Sequence, residues 1–222
     1  MLEKLAKQTA VYGISTIAVR FLSYLLTPVF TRVFEPEAYG IVTDVYALIP
    51  FALVVLTMGL ESAYFRFAAK ADAAAAAAGG TEGEIAARAR AGKRRLFATA
   101  WGVTLLAASL FFLLTAFGRE RVAEWMGEAY VAHPEYVLLV AAVVWFDVAA
   151  CLPFSRLREQ GRAMTFVGIK ALGVVVNVAL AIGFALAGLY GTPFGVGWVF
   201  VANLIASAVT FNVILLTTDR TV

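Results

Sequence analysis

The 222 residues include one cysteine, Cys151, and one histidine, His133. A disulfide framework or a Cys/His metal cluster needs several such residues, so both are excluded. No metal-ligand spacing and no catalytic constellation occurs elsewhere, and no G-x-x-x-x-G-K-[ST] phosphate cradle is present. Charge is also scarce. Asp, Glu, Lys and Arg make up 15% of the chain, against roughly 25% in soluble domains. Too few polar side chains remain to coat a water-soluble globule, which argues against a soluble enzyme. What is abundant is apolar. The hydrophobic set reaches 62% and mean hydropathy is +0.84. That excess excludes a disordered chain and leaves an integral membrane protein.

Long apolar runs predict about six membrane-spanning helices, near 9–31, 39–65, 96–117, 136–155, 164–188 and 196–218. Each is long enough to cross a hydrocarbon core of about 30 Å at ~1.5 Å per residue. The alternating pattern of barrel strands is absent. The first run contains Arg20 and lacks a small-residue cleavage site, so it reads as an uncleaved span rather than a signal peptide. The expected fold is an all-α, polytopic membrane helix bundle. It forms a single transmembrane lobe over 1–222, with a cytoplasmic linker loop over 70–95. That linker holds the run Ala73–Ala78 followed by Gly79-Gly80, which is low-complexity in character. Glu84 and Arg88 have i,i+4 spacing, so Ile85–Arg95 is expected as a helical lead-in to the third span.

Charge sets the orientation. Lys4, Lys7, Arg66, Lys70, Arg88, Arg90, Lys93, Arg94, Arg95, Arg156, Arg158, Arg162 and Arg220 fall on one side of the spans. Only Arg32, Arg119 and Arg121 fall on the other. The positive-inside rule then predicts that both termini are cytoplasmic. This sidedness explains the basic balance better than nucleic-acid binding, which would interleave cations with aromatics on one soluble face.

Polar residues inside the spans are costly and usually face a bundle interior or a wet cavity. Thr16, Arg20, Tyr24 and Thr27 share one face of the first span by their 3–4 spacing. Arg20 sits mid-span, either on a cavity wall or paired to a carboxylate between helices. Thr43, Tyr46, Pro50, Thr57, Glu61 and Tyr64 form a comparable stripe in the second span. Glu61 and Arg66, near its inner end, read as a gate pair or as interface charges. Asp147 lies in an apolar stretch of the fourth span and calls for protonation or a cationic partner, with Arg20 and Lys170 as candidates. It is either a proton-coupling site or half of a salt bridge. Lys170, Gly173 and Asn177 share a face of the fifth span, where Lys170 either lines a cavity or snorkels. Asn203, Ser207 and Thr210 lie on one side of the sixth span and signal little beyond packing.

The stretch from Leu5 to Ala69 carries a resemblance. "YGISTIAVRFLSYLLTPVFTRVF", then "EPEAYG", then "MGLESAYFRF" resemble the polysaccharide biosynthesis proteins of the multidrug/oligosaccharidyl-lipid/polysaccharide (MOP) exporter superfamily. "LREQGRAMTFVGIKALGVVVNVALAIGFALAGLYG" is similar to that family's fourth loop, fifth span and following turn. The resemblance covers essentially the whole chain and is most specific in its first 65 residues. It implies two helical lobes around a central cavity that opens alternately to each side of a bacterial inner membrane. The implied substrate is a polyprenyl-pyrophosphate-linked oligosaccharide, and the cavity is expected to be cationic. Arg20 matches the first-span arginine that faces this cavity, and Arg66 the arginine closing the second span. Pro28, Tyr39 and Gly40 match further family positions. An arginine offers a phosphate a fixed-charge donor fork.

The resemblance therefore implies a flippase or exporter for cell-surface polysaccharide such as O-antigen, not an enzyme, with no cofactor and no metal. The candidate substrate-binding residues are Arg20, Tyr24, Thr16, Thr27, Glu61, Arg66, Asp147, Lys170 and Asn177. Expected partners are the lipid bilayer, the lipid-linked glycan, a second lobe or pairing subunit, and glycosyltransferases. Six spans build one lobe, and rocking of one repeat against another needs two. Two other readings compete. A drug or cation antiporter of the same superfamily would want an acidic cavity, whereas here Arg20 and Lys170 oppose Asp147. A non-transporting scaffold of a glycan assembly complex would keep the spans without needing Arg20. The substitution Arg20→Ala separates these readings. Transport predicts a loss of surface polysaccharide at normal protein level, and unchanged polysaccharide contradicts a phosphate role for Arg20.

Overall fold

The computed structural model describes residues 26–219. Every regular element among them is helical: α1 (Thr27–Val33), α2 (Pro36–Thr57), α3 (Leu60–Ala77), α4 (Glu82–Phe117), α5 (Arg119–Met126), α6 (Glu128–Val131), α7 (Pro134–Glu159), α8 (Ala163–Leu186) and α9 (Gly197–Asp219), with a 3-10 turn at Leu189–Gly191. Five stretches among the described residues are long and apolar enough to cross a membrane. They are Pro36–Ala77, Glu82–Phe117, Pro134–Glu159, Ala163–Leu186 and Gly197–Thr218, with mean hydropathies of 2.0 to 2.3. The sixth expected span, 9–31, lies outside the described residues apart from its last few positions.

The helix boundaries follow local chemistry. Pro36 and Pro134 occupy first-turn positions, where a missing N–H costs nothing. Thr81 and Glu84 form a capping box ahead of α4: the Thr81 N–H donates to Glu84 Oε2 at 2.9 Å, and the Glu84 N–H to Thr81 Oγ1 at 3.4 Å. Glu84 is thereby engaged at the cap. Arg88 donates instead to the carbonyl of Gly79 at 2.8 Å, so the i,i+4 spacing of these two residues serves the turn.

Two expectations change. The second span is not one helix over 39–65. It breaks after Thr57, where Met58 (φ 49°) and Gly59 (φ 69°) take consecutive left-handed conformations. The alanine tract is not a linker loop either. Alanine has the highest helix propensity, and α3 continues through it to Ala77. The 36-residue α4 is about 54 Å long at ~1.5 Å per residue, well beyond the ~30 Å hydrocarbon thickness. Its amino-terminal part pairs with the end of α3 as a helical hairpin. Lys93 bridges this hairpin to α7 through Asp72 (2.8 Å) and Glu159 (2.7 Å).

Helix α7 is the centre of the bundle. It packs most extensively against α9 and α4, and also against α2 and α3. Val143, Val144, Val148, Ala149, Leu152 and Leu157 are all buried. Indole groups fix its contact with α4. Trp101 donates to the Ala149 carbonyl at 2.9 Å, and Trp145 Nε1 to Ser109 Oγ at 3.0 Å. At the far end Tyr130 donates to the Ile41 carbonyl at 3.4 Å. Burial, then the nearby Asp44 carboxylate, push the Tyr130 phenol up to about 12, so it remains a donor at physiological pH. Large apolar side chains left outside this packing, such as Phe51, Val54, Leu106, Leu110 and Leu114, form an exposed surface suited to lipid.

Gly173 of α8 packs against α9, where an added methyl would collide with the Thr210 hydroxyl. Gly173→Ala is therefore expected to lower stability by about 1–3 kcal/mol through overpacking. Adding Thr210→Ala should recover most of the loss in thermal unfolding measured in detergent. Failure of the second change to recover stability would contradict this contact.

Candidate functional site

One cavity of about 720 Å³ opens among α1, α2, α7, α8 and α9. Its walls follow from helical spacing. Tyr39, Thr43, Tyr46 and Pro50 recur at 3–4 residue intervals and place one face of α2 on the cavity. Lys170, Gly173, Val174 and Asn177 do the same for α8, and Asn203, Ser207 and Thr210 for α9. Thr27 and Phe30 contribute from α1, and Asp147 from the middle of α7.

The interior combines opposite charges with neutral donors and acceptors. Asp147 and Lys170 face the same space and interact electrostatically, without the close contact of an ion pair. Ser207 of α9 lines the same wall as Asp147. Lys170 Nζ lies 4.3 Å above the centre of the Phe154 ring, a cation–π contact that holds the ammonium against α7. Asn177 Nδ2 donates to Asn203 Oδ1 at 3.3 Å, joining α8 to α9. The Asn177 carbonyl oxygen is buried without a hydrogen-bond partner. A single bond between two amides leaves one amide nitrogen and one carbonyl oxygen unengaged whichever way the amides are turned. The site can therefore offer hydrogen bonds to a polyhydroxylated ligand, one cation and one carboxylate.

The structure places Thr27, Asp147, Lys170 and Asn177 on the cavity wall. It does not bring Glu61 or Arg66 there. Glu61 pairs with Arg158 of α7, and Arg66 is exposed on α3. Thr16, Arg20 and Tyr24 lie outside the described residues. Of the second-span stripe, Thr43, Tyr46 and Pro50 line the cavity, while Tyr64 is buried against Phe97. The break at Met58–Gly59 turns the later residues out of register with the earlier ones. Asn203, Ser207 and Thr210, which signalled only packing in the sequence, belong to the cavity. Their 3–4 spacing was visible, but the face they share shows its role only once it meets α8.

Among the described residues, no group of His, Cys, Asp and Glu could hold a metal ion. No curated protein and no solved structure matches the chain. Placing two opposed charges in one intramembrane cavity makes them interdependent. In thermal unfolding, Lys170→Gln and Asp147→Asn should be non-additive by about 0.5–3 kcal/mol, with the double variant less destabilised than the sum of the singles. Strict additivity would mean that the two groups do not sense each other. The profile of a family described as polysaccharide biosynthesis protein matches residues 5–221. The chain is thus a multi-pass membrane member of the polysaccharide biosynthesis protein family, and that membership together with its spanning helices supports a transport role in glycan biogenesis.

Proposed function

We propose that the chain flips a polyprenyl-pyrophosphate-linked oligosaccharide across the bacterial inner membrane, as one lobe of an alternating-access transporter with both termini on the cytoplasmic side. The observation that carries this reading is a cavity among the spanning helices, with charged and amide side chains set in apolar walls, in a member of a polysaccharide biosynthesis family. Its volume of about 720 Å³ falls within the roughly 300–1,000 Å³ of ordinary ligand sites. It suits the head of a glycan lipid while the polyprenyl tail stays in the bilayer. Thr43, Tyr46, Asn177, Asn203 and Ser207 would exchange hydrogen bonds with sugar hydroxyls. Lys170 would attract the pyrophosphate, with Arg20 of the first span as the second cation.

Asp147 keeps the described part of the cavity from being purely cationic, which favours release as well as capture. The same mixture speaks against a cation antiporter, because Lys170 would repel the cargo. A second lobe or pairing subunit would supply the opposite wall, and glycosyltransferases that build the glycan are the natural neighbours.

In cells whose surface polysaccharide depends on this protein, Lys170→Gln should reduce export by about tenfold, as expected for losing one charge-assisted contact. Lipid-linked glycan should then accumulate on the inner leaflet. Normal surface polysaccharide at normal protein level would contradict the assigned role of Lys170.

A further inference from the structure

Below the cavity, at the Glu159 end of α7, a compact cluster closes the space between α3, α7 and α8. It begins at the cavity wall itself. Lys170 rests over Phe154, and the Phe154 ring meets Phe166 of α8 edge to face at 5.4 Å. The Arg158 guanidinium lies over Phe166 at 5.7 Å and over Phe65 of α3 at 5.3 Å. Arg158 forms an ion pair with Glu61 of α3 and donates to Ser155 Oγ at 3.2 Å. The Cys151 thiol donates to the other Glu61 oxygen at 3.5 Å. Aromatic rings therefore fill the plug, and the Glu61–Arg158 pair helps tie it to α3.

Glu61 sits two residues beyond the break between α2 and α3. Met58 is a non-glycine residue at φ 49°, a conformation that costs roughly 1 kcal/mol or more for a side chain of its kind. Its side chain is exposed, so packing does not hold it. On one side of this joint, α3 is fastened to α4 by Tyr64 against Phe97 and to α7 by Glu61. On the other side, α2 carries the Tyr39, Thr43, Tyr46 and Pro50 wall of the cavity.

We propose that the Glu61–Arg158 pair is a latch. It holds the aromatic plug shut beneath the cavity and anchors α3, so that α2 can pivot at Met58–Gly59. Breaking the pair releases Phe65 and Phe166 together and opens the cavity toward the Glu159 end of α7. The partners' side chains are 34% and 37% exposed. The latch is thus within reach of water and weak enough to open during a transport cycle. This device does not depend on which cargo occupies the cavity.

Cys151, the sole cysteine of the chain, reports on the latch because it lies inside the plug. The full-length protein in membranes is treated with N-ethylmaleimide, a neutral and membrane-permeant reagent, and the labelling rate of Cys151 is measured. Arg158→Gln and Glu61→Gln should each raise that rate by about threefold to fivefold, the gain in open population expected from losing a partly exposed ion pair. The two substitutions change the local charge in opposite directions, so an increase in both reads opening rather than activation of the thiol. Lys93→Gln breaks a different interhelical bridge at the same end and should leave the rate within about twofold of wild type. Unchanged labelling in either latch variant, or an equal rise in Lys93→Gln, overturns the proposal. If one latch variant fails to fold, the other still decides it.

Discussion

Hydrocarbon offers no hydrogen bonds, and nearly every feature of this bundle answers that constraint. Helices satisfy their own backbones. Hydroxyls bend back onto their own helices: Thr104 donates to the Ala100 carbonyl, Thr217 to Val213 and Thr218 to Ile214. Indole groups reach across to neighbours, as Trp101 and Trp145 do between α4 and α7. Residues that cannot be settled in these ways are gathered rather than scattered. Asp147, Lys170, Asn177 and Asn203 come from three helices yet share one cavity. Their concentration there leaves the outer surface of α4 to leucine and phenylalanine.

The central position of α7 makes this collection possible. Buried on most sides, it presents Asp147 to the cavity and, three turns further on, Arg158 to the plug. Phe154 lies between them and touches both systems through Lys170 and Phe166. Cavity and plug are therefore mechanically adjacent. Packed rings, not a long path, join the two. The joint at Met58–Gly59 supplies the complementary freedom, because it separates the cavity-lining α2 from the anchored α3.

Much of this was legible in the sequence, for identifiable reasons. Apolar runs of about 20 residues and helical spacing marked the spans and the faces of α2 and α8. Asp147 stood out because a carboxylate among valines and aromatics demands an explanation. Other features were hidden because they depend on partners distant in sequence. Glu61 has Arg66 close by in the chain, yet it pairs with Arg158. The break at Met58–Gly59 was obscured by Pro50, the conventional kink signal, which α2 accommodates within its length. The alanine run looked like a linker because it lacks side-chain information. Its strong helix propensity and the Thr81 capping box make it half of a hairpin. Asn203, Ser207 and Thr210 form a weak stripe whose meaning depends on the Asn177 face opposite.

The central claim is that this cavity, and not the outer surface, meets a lipid-linked glycan. Photo-crosslinking from within the cavity tests it most directly. A photoreactive residue is placed at Asn177 or, for comparison, at Leu106, which is 71% exposed on the apolar face of α4. Both proteins are illuminated in membranes that are synthesising the polysaccharide. The account predicts a glycan-bearing adduct at position 177 and none at position 106. Adducts of equal yield at both positions, or an adduct at 106 alone, would contradict it.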